Sequence, residues 1–261
     1  MVTGEAAGDA VALARSRPAL AVGLHLVLVS GAAALPRERI PSLVDARGRF
    51  PDSPVRAGLR YQFSRRARAE LRAEIRAQLD RFRETGLPLS HVDGHLHLHV
   101  HPVVIGILAE AAGEYAIPAV RLPREELGAN LAFDRSAWAT KIAWTAIFGL
   151  LRRHASPRLA AAGIDVADRV YGLLQTGRID ERYLLGLIPR IGAERVELYA
   201  HPSAELAGEP ANGPPGSGAA ELAALVSARV KASVEAHGFR LTTPAGMRGD
   251  AGPRPSSAAV R

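Results

Sequence analysis

The chain has 261 residues, 48% hydrophobic and 23% charged, which suits one domain with a full core rather than a disordered or membrane-spanning chain. It contains no cysteine, which excludes disulfides, thiolate metal sites and a cysteine nucleophile, so any metal must be held by His, Asp, Glu or water. The net charge of +7 comes almost wholly from arginine, and with aromatics at only 5% there is no stacking platform for nucleic acid. Met1-Val2-Thr3-Gly4-Glu5 lacks a basic segment followed by an apolar one, so the expected compartment is the cytoplasm.

Ala6 to Arg15 reads as a short helix ended by Pro18. Leu20 to Val29 is a continuous apolar run, the pattern of a strand covered on both faces, interrupted by His25. Gly31 to Gly58, punctuated by Pro36, Pro41, Pro51 and Pro54, reads as a long loop, of the kind that forms a lid or substrate wall. In Arg65 to Glu84, Leu71, Ile75, Leu79 and Phe82 make one apolar stripe of an amphipathic helix. Its charges read as a solvated face, with Arg66–Glu70 and Arg76–Asp80 pairs four apart. Leu87 to Asp93 is a short strand, Pro102 opens a helix that runs through Val103 to Tyr115, and Ile117 to Leu122 is the next strand. Strand–helix–strand repetition argues for a parallel sheet or barrel.

The rhythm breaks between Pro123 and Val170, which reads as an inserted helical segment. Ala137 to Leu151, with Trp138 and Trp144, is a helix that either packs on the domain or touches a membrane surface over 137–153. Asp180 to Ile188 is a helix, Val196 to Ala200 a strand ending in His201-Pro202, and Ser203 to Gly218 a Gly/Pro-rich loop. Ala219 to His237 is a final helix and Phe239 to Thr242 a last strand. The domain therefore spans residues 1–243, and 244–261 reads as a disordered tail.

The chemistry concentrates in His91-Val92-Asp93-Gly94-His95-Leu96-His97-Leu98-His99-Val100-His101, five of the nine histidines with one carboxylate among them. Imidazole nitrogens with a carboxylate are a ligand set for divalent metals. These residues share parity, so a fully extended strand would put all of them on one face, more donors than one ion takes. In open α/β sheets and barrels, ligands gather beyond the carboxyl ends of the strands. Four strands here deliver His25, then Asp93 with His95, then Arg121, then His201 near that edge.

Gly23-Leu24-His25-Leu26, the His91 to His99 run and Tyr199-Ala200-His201-Pro202 resemble three signatures of the YdjC-like carbohydrate deacetylase family. Gly23 to Gly31, Ile40 to Asp45 and Ala119 to Glu125 resemble its hopanoid-biosynthesis-associated branch. The resemblance runs from about Met1 to Leu241. It implies an irregular α/β fold, β/α-barrel-like with parallel strands, and metal-assisted removal of an N-acetyl group from an amino sugar or glycosyl-lipid. By that resemblance His25 and His95 are ligands of a divalent ion, Mg²⁺ or Zn²⁺. His201 is the acid that protonates the leaving amine, with Asp93 beside it in a catalytic role. His97 and Arg121 face the substrate, Arg121 being equally readable as structural. A homodimer is also compatible. The family's Ala-Asp-Asp-Phe-Gly motif does not occur in this sequence, and Met1 to Gly4 resembles a segment after the family's second strand. The expectation is therefore that the first β-α-β unit, with a ligand carboxylate and the general base, is missing. Either it is encoded upstream or the chain is an inactive descendant.

Two rival readings differ in class. Asp93-Gly94-His95-Leu96-His97 also resembles the strand-end His-x-His of amidohydrolase-like and phosphoesterase metalloenzymes, which place it on the first strand. The other rival is a non-catalytic metal-binding or membrane-associated accessory protein.

Overall fold

In the computed structural model, which describes residues 1–204, 214–244 and 246, helix α1 (Ala7–Arg15) precedes a parallel pair of strands. Strands β1 (Leu24–Leu26) and β2 (Val92–Gly94) pair with Leu24 opposite Val92, His25 opposite Asp93 and Leu26 opposite Gly94. Parallel bridges extend the wall from Val92 to Val120 and from Ala119 to Asp165. A second parallel pair, β3 (Arg169–Tyr171) with β4 (Val196–Leu198), forms a separate sheet, tied to the segment after Leu122 by an antiparallel bridge between Arg124 and Val170. This is the expected α/β, barrel-like arrangement of parallel strands, irregular because each of these strands is three residues long.

The run from Leu20 to Val29 is a strand only at its centre. Beyond Leu26 the Gln78 side chain replaces a neighbouring strand, accepting from Val27 N at 2.9 Å and donating to Val27 O at 2.8 Å. Ile117 to Leu122 contributes isolated bridges rather than a strand. Phe239 to Thr242 is not a strand. Gly238 turns left-handed at φ 75° and Phe239 N bonds Val234 O at 3.0 Å, which closes the preceding helix and seats Phe239 against a small apolar cluster.

Helix α2 (Pro54–Phe63) begins inside the expected loop, capped by Ser53 with Pro54 at its first position. Helix α3 (Arg65–Glu84) buries Leu71, Ile75, Leu79 and Phe82 as its apolar stripe requires. Its polar residues are not all solvated. Glu74 accepts from Ala34 N at 2.7 Å and Leu35 N at 2.9 Å, and Glu70 accepts from Ser42 N at 2.7 Å and Ser42 Oγ at 2.6 Å. The segment from Gly31 to Phe50 is thereby pinned to α3 and is not free to open as a lid. The Arg66–Glu70 pair forms, but Arg76 pairs with Glu114 and Asp80 with Arg83.

Helix α4 (Pro102–Tyr115) starts at Pro102 as expected, with the His101 ring accepting from Val103 N at 3.3 Å. Helix α5 (Leu127–Phe133) lies within the expected inserted helical segment, and α6 (Trp138–Ala161) runs a further ten residues past Leu151 through Pro157. Helix α7 (Glu181–Leu187) is capped by Asp180. The expected helix over Ala219–His237 is two, α8 (Ser217–Leu225) and α9 (Ala228–Ala236), because Ser227 caps a new start through Arg229 N and Val230 N. Residues 205–213 of the Gly/Pro-rich loop and all of the tail after Pro244 except Gly246 lie outside the described residues.

The main core gathers β1, β2, α2, α3, α4 and part of α6, and a second cluster joins Tyr171, α7, α8 and α9.

Candidate functional site

Register places His25 and Asp93 side by side, and His25 Nδ1 donates to Asp93 Oδ1 at 2.7 Å. This fixes the tautomer that leaves His25 Nε2 with its lone pair, as in carboxylate–histidine pairs at metal and acid–base centres. The other Asp93 oxygen takes Arg121 Nη1. Arg121 Nε donates to Glu197 Oε1 at 2.6 Å, and its guanidinium lies 5.0 Å from the centre of the Tyr199 ring. Burial pushes the Asp93 carboxyl up, but the His25 hydrogen bond and the Arg121 charge outweigh it and hold it well below the usual carboxylate range. Asp93 is thus an ionised residue with both oxygens engaged. Its geometry suits orienting His25 rather than abstracting a proton. Arg121 is equally committed, to two carboxylates and an aromatic face.

The histidine run does not continue the strand. Strand β2 ends at Gly94, and His95–Val100 coils into 3₁₀ turns in which Leu96 (φ 48°) and His97 (φ 55°) are left-handed. Two successive non-glycine residues in this region cost on the order of 1–2 kcal/mol each, a strain of the kind found at functional sites. The single-face expectation therefore fails, because the turns fan the rings apart. A Cβ on Gly94 would meet the His99 Cβ at 2.9 Å and Leu26 O at 3.2 Å, so glycine is what lets the turn fold back on β1.

The fanned histidines have different surroundings. His95 sets its ring edge-to-face with His25 at 5.9 Å between centres. His97 shares a 2.9 Å hydrogen bond through Nε2 with the Tyr199 hydroxyl, while its Nδ1 is buried without a partner. Burial, reinforced by the charges of His99 and Arg121, pushes His97 down to about 3. His99 Nε2 donates to Arg121 O at 2.8 Å, and burial pushes this ring down to about 4. His97 and His99 are neutral packing residues at pH 7, and the unpartnered His97 Nδ1 is enclosed rather than presented to a substrate. His91 and His101 are likewise lowered by burial.

His201 follows β4 with its backbone N–H on Glu221 Oε2 at 2.6 Å and its ring edge-on to Tyr199 at 5.8 Å. Burial lowers His201 as it does His95; the charge of His25 adds to the lowering of both, and that of His201 to the lowering of His95. The structure therefore brings His25, Asp93, His95, Arg121 and His201 into one neighbourhood, with His97 beneath.

Glu197 and Tyr199 were not singled out from the sequence. Their signal was present, since Glu197, Tyr199 and His201 share strand parity and so lie on one face.

For a metal, the donor set is suitable in kind and incomplete in number. His25 Nε2 and His95 are two neutral imidazoles, but no group of three His, Asp or Glu able to hold an ion comes together among the described residues. Asp93 is consumed by His25 and Arg121.

Fold and site together define an α/β barrel-like protein with an imidazole-rich centre, oriented by one buried carboxylate, beside its parallel strands. The chain belongs to the family of YdjC-like proteins, whose profile matches residues 1–236. It is 42% identical over 123 residues to a carbohydrate deacetylase of Brevibacillus brevis, covering 47% of this chain and 46% of that one. It is 35% identical over 127 residues to a chitooligosaccharide deacetylase of Serratia marcescens, covering 48% and 47%. A carbohydrate deacetylase of Mus musculus is 34% identical over 220 residues, covering 77% of this chain and 67% of the other. The aligned chain thus spans just under half the length of the two bacterial relatives. Among solved structures, a candidate cellobiose-phosphate cleavage protein of Enterococcus faecalis superposes with a TM-score of 0.71 over 95% of this chain and 85% of the other. At 22% identity that likeness concerns the fold.

Proposed function

We propose that this chain is a hydrolase that removes an N-acetyl group from an amino sugar, free or carried on a hopanoid-type glycosyl-lipid. The observation that carries the reading is His25, oriented by ionised Asp93, gathered with His95 and His201 beside the parallel strands. Relatives named carbohydrate and chitooligosaccharide deacetylases support the choice of substrate class.

The chemistry needs a proton taken from water and returned to nitrogen. His201, held neutral by burial, accepts the proton as the water oxygen bonds to the acetyl carbon, then delivers it to the amine nitrogen as the C–N bond breaks. Asp93 and Arg121 act as positioning residues, the first for His25 and the second for Asp93 itself. His97 supports the Tyr199 hydroxyl. A divalent ion, Mg²⁺ or Zn²⁺, would take His25 and His95 as donors. The described residues do not complete its ligand set.

The test is acetate release from N-acetylglucosamine and di-N-acetylchitobiose, run with a panel of divalent ions. His201→Asn is expected to lose on the order of 10²–10⁴-fold in rate while remaining folded. His25→Ala and His95→Ala are expected to lose metal uptake that His99→Ala retains. No acetate release by the unaltered chain under any ion, or hydrolysis of a phosphomonoester in its place, would remove this reading.

A second observation favours contact with a lipid surface. On α6, Trp138, Ile142, Trp144, Ile147 and Leu150 are all exposed, with exposed Arg153 following. No helix among the described residues is long and apolar enough to cross a membrane. These exposed apolar side chains are the groups a lipid surface would meet. Flotation with anionic liposomes is expected for the unaltered chain and lost in Ile142→Glu/Ile147→Glu. Equal flotation of both sinks the idea.

A further inference from the structure

The chain leaving β4 carries His201 beyond the reach of its own ladder. Tyr199 N bonds Tyr171 O at 3.0 Å, and a continued parallel ladder would set the His201 N–H on the carbonyl of Leu173. That carbonyl is taken by Thr176 Oγ1 at 3.1 Å. Gly172, at φ 130°, has already turned its own N–H to Glu125 Oε1 at 3.0 Å. The neighbouring segment therefore offers the His201 amide no acceptor.

The acceptor comes from α8 instead. Glu221 Oε2 takes the His201 N–H at 2.6 Å, and Glu221 Oε1 accepts from Ile179 N, just ahead of α7, at 3.4 Å. Glu221 is only 1% exposed, and a carboxylate is costly to bury. Packing of α8 alone does not call for one, since Ala224 on the same helix is fully buried without a polar group. A hydrogen bond to an ionised acceptor is shorter and roughly twice as strong as a neutral one, which suits a tie that must not slip. After Pro202, which has no N–H, the next tie is Ser203 N to Gly218 O at 3.2 Å, again on α8. Both backbone ties around His201 thus lead to one helix.

The ring has little else to orient it. His201 Nδ1 is enclosed without a hydrogen-bond partner, so nothing on that side does for His201 what Asp93 does for His25. The edge of the Tyr199 ring, 5.8 Å away between centres, supports it without fixing its height along the chain.

We propose that Glu221 is the positioning residue of His201, holding the backbone beyond β4 so that the ring keeps its place for proton transfer. The proposal rests on the reading of His201 as the acid–base group of a deacetylase site.

The test is acetate release from di-N-acetylchitobiose by the full chain, with circular dichroism as the folding control. Glu221→Ala is expected to lower kcat by about tenfold or more with KM changed less than about twofold, since misplacing a catalytic group by about 1 Å can cost up to 10²-fold. Glu221→Gln still offers an oxygen to His201 N, and should recover the rate to within about threefold of the unaltered chain. In a His201→Asn background, Glu221→Ala should change kcat less than about twofold, because the two residues act as one unit. Glu221→Asp, one methylene shorter, serves where Glu221→Ala does not fold, with the same losses expected. A loss that persists in the His201→Asn background, or Glu221→Gln as slow as Glu221→Ala, makes Glu221 a packing residue of α8 and overturns the proposal.

The His201 ring signal in two-dimensional ¹H–¹⁵N spectra, assigned by its loss in His201→Asn, gives a readout independent of activity. It should be single in the unaltered chain and in Glu221→Gln, and shifted or split in Glu221→Ala. If the signal responds in this way while the unaltered chain releases no acetate, the positioning stands and the deacetylase reading falls. If acetate is released and Glu221→Ala changes neither kcat nor the signal, only the positioning falls.

Discussion

His25 and Asp93 stand opposite each other across β1 and β2 and are joined by a 2.7 Å hydrogen bond, so the parallel register itself decides which imidazole the carboxylate orients. Arg121, reached from the next parallel segment, closes the other side of Asp93. Three neighbouring parallel segments thus meet at one carboxylate, which ties the wall of the fold to the tautomer of His25.

Asp93→Asn keeps the shape of the side chain and removes its charge. It leaves the buried Arg121 with Glu197 alone, and a cost of about 3 kcal/mol in urea unfolding is expected, at the lower end for breaking a buried ion pair. The folded-state carboxyl lies below its unfolded value, so its stabilisation is complete above about pH 4 and is lost as pH falls further. The unaltered protein should therefore lose stability below pH 4 more steeply than Asp93→Asn. Parallel acid limbs would show that Asp93 is not ion-paired in solution.

The pH range above that belongs to the buried histidines, His97 and His99 above all. Their folded-state values, about 3 and about 4, lie below the unfolded imidazole value of 6.5. Between those limits the unfolded chain binds more protons than the folded one, so stability falls as pH is lowered from about 6.5 toward 4. Thermal melts at half-unit pH steps should show this decline, and His99→Gln should make it shallower. A flat profile in the unaltered chain would mean the rings are solvated.

How much of this could be read from the sequence differs between elements for physical reasons. Helix α3 was legible because Leu71, Ile75, Leu79 and Phe82 repeat at the helical period, and Pro102 marked the start of α4. The strands were visible but overlong, because apolar runs do not reveal where Gln78 takes over the hydrogen bonds of Val27. Phe239 mimics a strand residue in sequence and is instead the residue that closes α9 after a left-handed Gly238. Within the site, the convergence of His25, Asp93, Arg121 and His201 was legible from pattern, though His25 and Asp93 lie mid-strand and Arg121 follows an isolated bridge. The fanning of His95 to His99 was not, since Leu96 and His97 adopt a backbone region that nothing in their chemistry announces. The partner Glu197 was hidden because a charged residue on a short strand looks solvated until the fold encloses it.

The left-handed Leu96 gives a test of that turn. Its side chain is half exposed, so removing it forfeits little burial, while glycine relieves the backbone. Leu96→Gly is expected to gain about 1 kcal/mol in urea unfolding, and Leu96→Val, β-branched at the same φ, to lose about 1 kcal/mol. Equal losses in both would mean that the chain is not left-handed there.

Glu74 distinguishes a pinned loop from a mobile one. It is fully buried and its carboxylate accepts from Ala34 N, Leu35 N and Gln78 Nε2, and burial raises its pKa despite those donors. Glu74→Ala strands these donors in the interior, and each buried donor left unsatisfied costs about 1–3 kcal/mol. A loss of about 3 kcal/mol is expected, with new protease cleavage between Gly31 and Phe50. Glu110, whose pair with Arg72 lies at the surface, is the matched control, and Glu110→Ala should cost less than about 1 kcal/mol. A raised folded-state value also means that Glu74 binds its proton more readily in the folded than in the unfolded chain. Its own titration therefore opposes that of Asp93, and Glu74→Ala should make the acid limb steeper. Comparable stability losses at Glu74 and Glu110, without new cleavage, would show that the segment is held by packing of Ile40, Leu43 and Phe50 and not by the carboxylate.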